Sequence, residues 1–162
     1  MWWCDLFLLW AIRRARRNRA HIYNVVRFDG DFLFKRFAFL APEEFVDRDQ
    51  KHWSRPPWWR PFNAFIHQWR PTQNREGMHD HPRWSITVCL RGKIIEHTPW
   101  WSKELRPGSV VIRSRKAIHA FEIPEGYSGK TWTLFIVGPR NHPQNTYVVE
   151  RRTGVGQVVE QT

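Results

Sequence analysis

Between residues 62 and 150 the chain is a succession of short β-branched and aromatic runs cut apart by glycine and proline, and that punctuation leaves it few folds. Residues 62–69, 85–90, 93–98, 108–113, 119–123, 131–137 and 146–150 each have the length and composition of a strand. Arg91-Gly92, Pro107-Gly108, Pro124-Glu125-Gly126 and Gly138-Pro139 stand between runs where a chain reverses. Many short strands with such turns predict an all-β fold, a jelly roll or related barrel. At 162 residues one domain is expected, with apolar residues for one core and not two.

Within that pattern His79-Asp80-His81 stands out. Residues i and i+2 of a strand share a face, so His79 and His81 project together while Asp80 turns outward. A third partner must come from a distant strand, because the next residues on that face recede by about 3.3 Å each. His119 meets the need, following the Pro107-Gly108 turn and the run Val110-Val111-Ile112. Three converging imidazoles make a candidate metal centre, since neutral imidazole suits Fe, Zn, Cu and Ni alike.

These residues resemble the two motifs of the cupin superfamily. His79 and His81 fill the histidine positions of the first motif, and Gly92 falls on its closing glycine. Ser85 stands in the glutamate position and Gln73 in that of the leading glycine. In the second motif Gly108 and His119 match, whereas Ser114, Lys116 and Ile123 replace its proline, second glycine and asparagine. A closer resemblance runs from Phe32 to Arg140, through Phe62-Asn63-Ala64-Phe65-Ile66-His67, His79-Asp80-His81-Pro82, Leu90-Arg91-Gly92, Gly108-Ser109-Val110-Val111 and Thr133-Leu134-Phe135. That set is similar to the small cupin-like proteins of phages and bacteria, most of which have no assigned reaction. The resemblance implies a cupin-type jelly-roll barrel with His79, His81 and His119 as ligands of a divalent metal. Fe(II) is favoured, with Zn, Ni and Mn open. Without the glutamate, three neutral imidazoles leave a divalent ion with a charge of about +2, which favours anionic or chelating ligands. Three-histidine cupin sites resemble those of thiol dioxygenases, where Fe(II) binds substrate and oxygen together.

Further residues are candidates for the pocket or for support of the ligands. His67 either lines the pocket or packs, and packing is the simpler expectation. Ser85 and Cys89 share strand parity, which turns Cys89 inward as a small apolar residue. Glu96 is expected as a solvated or salt-bridged strand residue, with a fourth-ligand role as the alternative. Arg113 offers a fork either to an anionic substrate or to a surface ion pair. Asp80 and Arg83 flank the site.

The ends differ in kind from the middle, and three segments are expected: a basic N-terminal extension at 1–24, the barrel at 25–150 and a mobile tail or partner-binding strand at 151–162. Residues 1–12 are apolar apart from Asp5, and Arg13, Arg14, Arg16, Arg17 and Arg19 follow. The apolar run is too short for a transmembrane span, and its charges follow it, unlike those of a signal peptide. A helix is expected there, covering the barrel or anchoring in an anionic membrane surface. Residues 41–61, rich in proline and tryptophan, read as an ordered loop whose aromatics need burial. Cys4 and Cys89 give no disulfide framework, which fits a reducing, cytoplasmic setting, host cytoplasm or virion if the chain is phage-encoded. The 26 Lys and Arg against 15 Asp and Glu give a net charge of +11, which raises affinity for nucleic acid, acidic protein or anionic lipid.

Three functions remain open from sequence. One is a metal-dependent enzyme, an Fe(II) oxygenase foremost, acting on a small anionic molecule. Another is a non-catalytic structural or partner-binding protein, of the phage type, that uses the barrel as a scaffold. The third is nucleic-acid binding through residues 1–20, where arginines stand beside aromatics. A homodimer fits the exposed strand edges of such a barrel.

Overall fold

A computed structural model describes residues 2–17, 22–26, 32–38, 40, 62–70, 78–81, 83–138, 146–152 and 155–161. Helix α1 (Trp2–Arg16) is followed by β1 (Ile22–Val26), β2 (Phe32–Ala38), β3 (Asn63–Trp69) and β4 (Met78–His79). Then come β5 (Ser85–Arg91), β6 (Ile94–His97), β7 (Ser102–Leu105), β8 (Val110–Arg113) and β9 (Ala120–Glu122). The chain ends with β10 (Trp132–Val137), β11 (Thr146–Arg152) and β12 (Val155–Gln161). A six-stranded sheet runs β1-β2-β3-β10-β5-β8, and two three-stranded sheets run β12-β11-β4 and β7-β6-β9. Every pairing is antiparallel. The fold is thus all-β with a helical extension, as expected. It departs from the expected barrel in one respect, for among the described residues the sheets form a sandwich and do not close.

Strand alternation divides the large sheet into two faces with different partners. On β5, Ser85, Thr87 and Cys89 are buried, and on β10 so are Thr133, Phe135 and Val137. Their neighbours Val88, Trp132, Leu134 and Ile136 point the other way, against Cys4, Leu8, Ala11 and Ala15 of α1. Those four helix residues recur at helical spacing and form one stripe, three of them small enough to let the axis lie close to the sheet. Asp5 in the first turn and Arg13, Arg14 and Arg16 in the last complement the helix dipole. The inner face packs against the β7-β6-β9 sheet through Phe34, Trp69, Cys89, Ile94, Leu105, Val111, Phe121 and Ile123. The interior also buries Asn63, His67, Thr87 and Thr133, more polar groups than packing alone requires. Among these, Thr133 Oγ1 accepts from Trp69 Nε1 at 2.9 Å.

The β5–β6 turn explains the closing glycine. Gly92 has φ 80°, and a Cβ there would lie 2.6 Å from Thr131 Oγ1 and 2.7 Å from Thr131 Cα. Only glycine fits so close an approach at that φ.

Several sequence expectations change. The helix ends at Arg16 and β1 begins at Ile22, inside the segment assigned to the extension. Residues 155–161, expected in a mobile tail or partner-binding strand, pair with β11 from Thr146↔Gln161 to Arg152↔Val155. Four β-branched valines over 148–149 and 158–159 suit that hairpin better than a solvated end. The proposed loop at 41–61 lies outside the described residues. Among the described residues no helix is long and apolar enough to cross a membrane.

Candidate metal centre

The three histidines are brought together by backbone pairing. His79 N donates to His119 O at 2.9 Å and His119 N donates to His79 O at 3.0 Å, the reciprocal bonds of an antiparallel bridge. Side chains opposed across such a bridge leave on the same face, and His81, two residues on, returns to it. Ligand atoms of His79, His81 and His119 all lie within 4.8 Å of one another. Ring centroids are 5.0 Å apart for His79 and His81, 5.5 Å for His79 and His119, and 5.0 Å for His81 and His119.

His119 is fixed from behind. Its Nδ1 lies 2.8 Å from Glu96 Oε1, and because a carboxylate only accepts, the proton belongs on Nδ1 and Nε2 keeps its lone pair. Glu96 in turn accepts from Arg113 Nε at 2.8 Å, while Arg113 Nη2 donates to its other oxygen. The guanidinium lies 5.3 Å from the ring centre of Trp101. Burial pushes the Glu96 carboxyl upward, but hydrogen bonds from His119 and Arg113 outweigh it and hold it below its ordinary value. Glu96 is fully buried, so the solvated setting expected for it is overturned and the salt-bridged one applies. Its carboxylate addresses the Nδ1 side of His119, away from Nε2. The Arg113 fork is closed on Glu96 and does not present itself to an anionic substrate.

The remaining candidates surround this core. His67 is buried, stacked on Phe34 at 4.3 Å between centroids, and it accepts from Arg36 Nε at 3.0 Å. Burial, the Arg36 charge and His81 hold its imidazole well below its usual range. Phe135 bridges the two histidines, 5.2 Å from His67 and 5.6 Å from His81. Ser85 is buried and pairs with Arg113 across β5–β8. This puts a short hydroxyl on the inward face in the glutamate position. Cys89 lies in the apolar core, its thiol pushed up to about 12 chiefly by burial, which disfavours the thiolate. Asp80 was expected to face outward. It is buried instead, as is Arg83: β4 ends at His79, so strand parity no longer governs where Asp80 points. The residue that sequence reasoning missed is Arg36, whose guanidinium lies 4.9 Å from the Phe65 ring centre and 5.3 Å from that of Phe34. Its parity with Phe34 on β2 was the available signal.

The donor set fits a divalent ion. Two nitrogens bound at about 2.1 Å and a right angle are about 3 Å apart, and His81 Nε2 and His119 Nε2 are 2.8 Å apart. Two bare lone pairs at that separation repel unless a proton or a cation lies between them. Burial first, then His79, His119 and Arg36, lower His81 to about 2, so at neutral pH it is an uncharged imidazole, the form that binds metal.

No protein-family model matches the sequence, and no curated protein does. Solved structures do match. KdgF from Halomonas sp. is similar over 76% of this chain and 93% of its own, at 13% identity and TM-score 0.51. Ectoine synthase from P. lautus is similar over 76% of this chain and 72% of its own, at 8% identity and TM-score 0.50. A cupin-like protein from Thermotoga maritima is similar over 65% of this chain and 68% of its own, at 16% identity and TM-score 0.47. With its antiparallel sandwich and its histidines converging inside, the chain has the fold of the cupin superfamily.

Proposed function

We propose that this cupin-like protein holds a divalent metal, Fe(II) before Zn, Ni or Mn, on His79, His81 and His119 and acts on a small anionic molecule. The observation that supports this reading best is the convergence of three ligand atoms within 4.8 Å, with His119 locked in its metal-binding tautomer by Glu96. A divalent ion in this site supplies a Lewis acid whose charge the three imidazoles leave unneutralised. The chain's own groups would do the rest. Arg113 keeps Glu96 ionised, Glu96 keeps the proton on His119 Nδ1, and the bridge between His79 and His119 fixes both rings. Arg36 adds a positive charge on the inner face, among Phe34, Phe65 and His67, which favours an anion with an apolar body. Phe121, 4.8 Å from His119 between centroids, and Phe135, 5.6 Å from His81, add apolar rings beside the histidines.

A second reading rests on the 2.8 Å contact between His81 and His119. One shared proton there would satisfy both rings in a scaffold that binds no metal. Elemental mass spectrometry of the purified protein beside a His79→Ala/His119→Ala variant separates the two. Near-stoichiometric metal that is lost in the variant supports the metal centre. Metal absent from both after anaerobic Fe(II) loading leaves the scaffold.

A further inference from the structure

Helix α1 presents two apolar faces, and the sheet covers one. At about 100° per residue, Cys4, Leu8, Ala11 and Ala15 form a narrow stripe toward the sheet, while Trp2, Trp3, Leu6, Leu9 and Trp10 occupy a second arc about 120° wide on the opposite side. Those five outward side chains are between 50% and 75% exposed. A single exposed leucine means nothing, but five large apolar residues on three turns are a contiguous patch. Arg13 and Arg17 continue the same arc toward the helix C-terminus, with Arg14 and Arg16 on its flanks, all exposed. Asp5 is the only acidic residue in the helix.

Three occupants of the patch can be compared. A second copy would bring a chain of net charge +11 against another, with arginines of both helices in the same contact, and like charges there oppose pairing. Single-stranded nucleic acid would satisfy the arginines and stack on tryptophans, but Leu6 and Leu9 have no π-face to offer a base. An anionic lipid surface satisfies everything: tryptophans and leucines enter the headgroup–acyl boundary, and arginines reach the phosphates on flexible stems. We propose that α1 is an interfacial anchor that lays the sandwich on an anionic membrane, with Trp2, Trp3, Leu6, Leu9 and Trp10 inserted and Arg13 and Arg17 on lipid phosphates. The helix would lie in the surface plane, because its other face stays fixed to β2, β3 and β5.

Co-sedimentation of the full chain tests this, using vesicles of phosphatidylcholine alone and vesicles with about a quarter phosphatidylglycerol. The wild-type protein is expected to pellet with the anionic vesicles, less at high salt, and weakly with the neutral ones. Trp3→Ser/Leu6→Ser/Trp10→Ser and, separately, Arg13→Glu/Arg17→Glu should each lower the partition coefficient at least about tenfold. These side chains are exposed, so circular dichroism and melting temperature should hold, which distinguishes lost anchoring from lost folding. Equal pelleting by wild type and both variants overturns the proposal. So does a wild-type dimer by light scattering that the triple variant abolishes without any vesicle binding, or retention on single-stranded nucleic acid with none on vesicles.

Discussion

Glu96 touches the site only through the far nitrogen of His119, and that position decides what its removal does. A carboxylate behind a metal-binding imidazole fixes its tautomer and raises its basicity, and losing such a partner costs about 10- to 100-fold in metal affinity. Glu96→Ala also strands the Arg113 guanidinium in a half-buried setting. Metal affinity by competition with a chelator should therefore fall by about that factor in Glu96→Ala, and less in Glu96→Gln, whose amide oxygen still accepts from Nδ1. Equal affinity in all three proteins would show that the carboxylate does not orient the ligand. The histidines themselves were legible in sequence, because i, i+2 parity and turn spacing are local properties. The role of Glu96 was not, because it arises from the β6–β9 pairing, in which Glu96 opposes Phe121 and so comes beside His119. Arg36 escaped for a similar reason: an arginine on a strand is ordinarily solvated, and only the burial of Phe34 beside it shows which way the face turns.

At the scale of elements, the interior strands follow their alternation. Ser85–Arg91 and Trp132–Val137 read as strands because every second side chain is buried on one face while the other lies under α1. Ser102–Leu105 did not, since three of its four residues are exposed and leave no alternation to detect. A two-residue strand such as Met78–His79 has no period at all, and only its partners define it. Turns were more legible, for a positive φ calls for glycine whatever surrounds it. The β5–β6 turn accordingly makes a sharp test. Gly92→Ala places a methyl within 2.6 Å of Thr131 Oγ1 and forces an unfavourable φ. It should cost about 1–3 kcal/mol by urea denaturation. Gly126, where a Cβ would meet nothing within 4 Å, shares only the φ penalty and should lose less when changed to Ala. The reverse order would mean that the close approach to Thr131 is relieved at no cost.

For the whole molecule, the proposed ligands come from two different parts of the sandwich. His79 ends β4, in the sheet with β11 and β12, and His119 directly precedes β9, in the sheet with β6 and β7. An ion held by both would join those sheets, and would stabilise the native state by mass action because the unfolded chain does not assemble the site. At a free metal concentration about 100 times its Kd, the gain is about 2.7 kcal/mol, a rise of several degrees in Tm that a chelator should reverse and His81→Ala should abolish. An unchanged Tm would count against metal held by the folded state. The β11–β12 hairpin adds a consequence of its own. Among the described residues it pairs to β4 through Thr146↔His79 and Tyr147↔Met78, so the strand that bears His79 is also a seam between the hairpin and the rest. Hairpin docking and ion retention are then linked functions of one equilibrium, and linkage is reciprocal. Whatever favours the docked hairpin tightens the hold on such an ion, and a bound ion would favour hairpin docking by the same free energy.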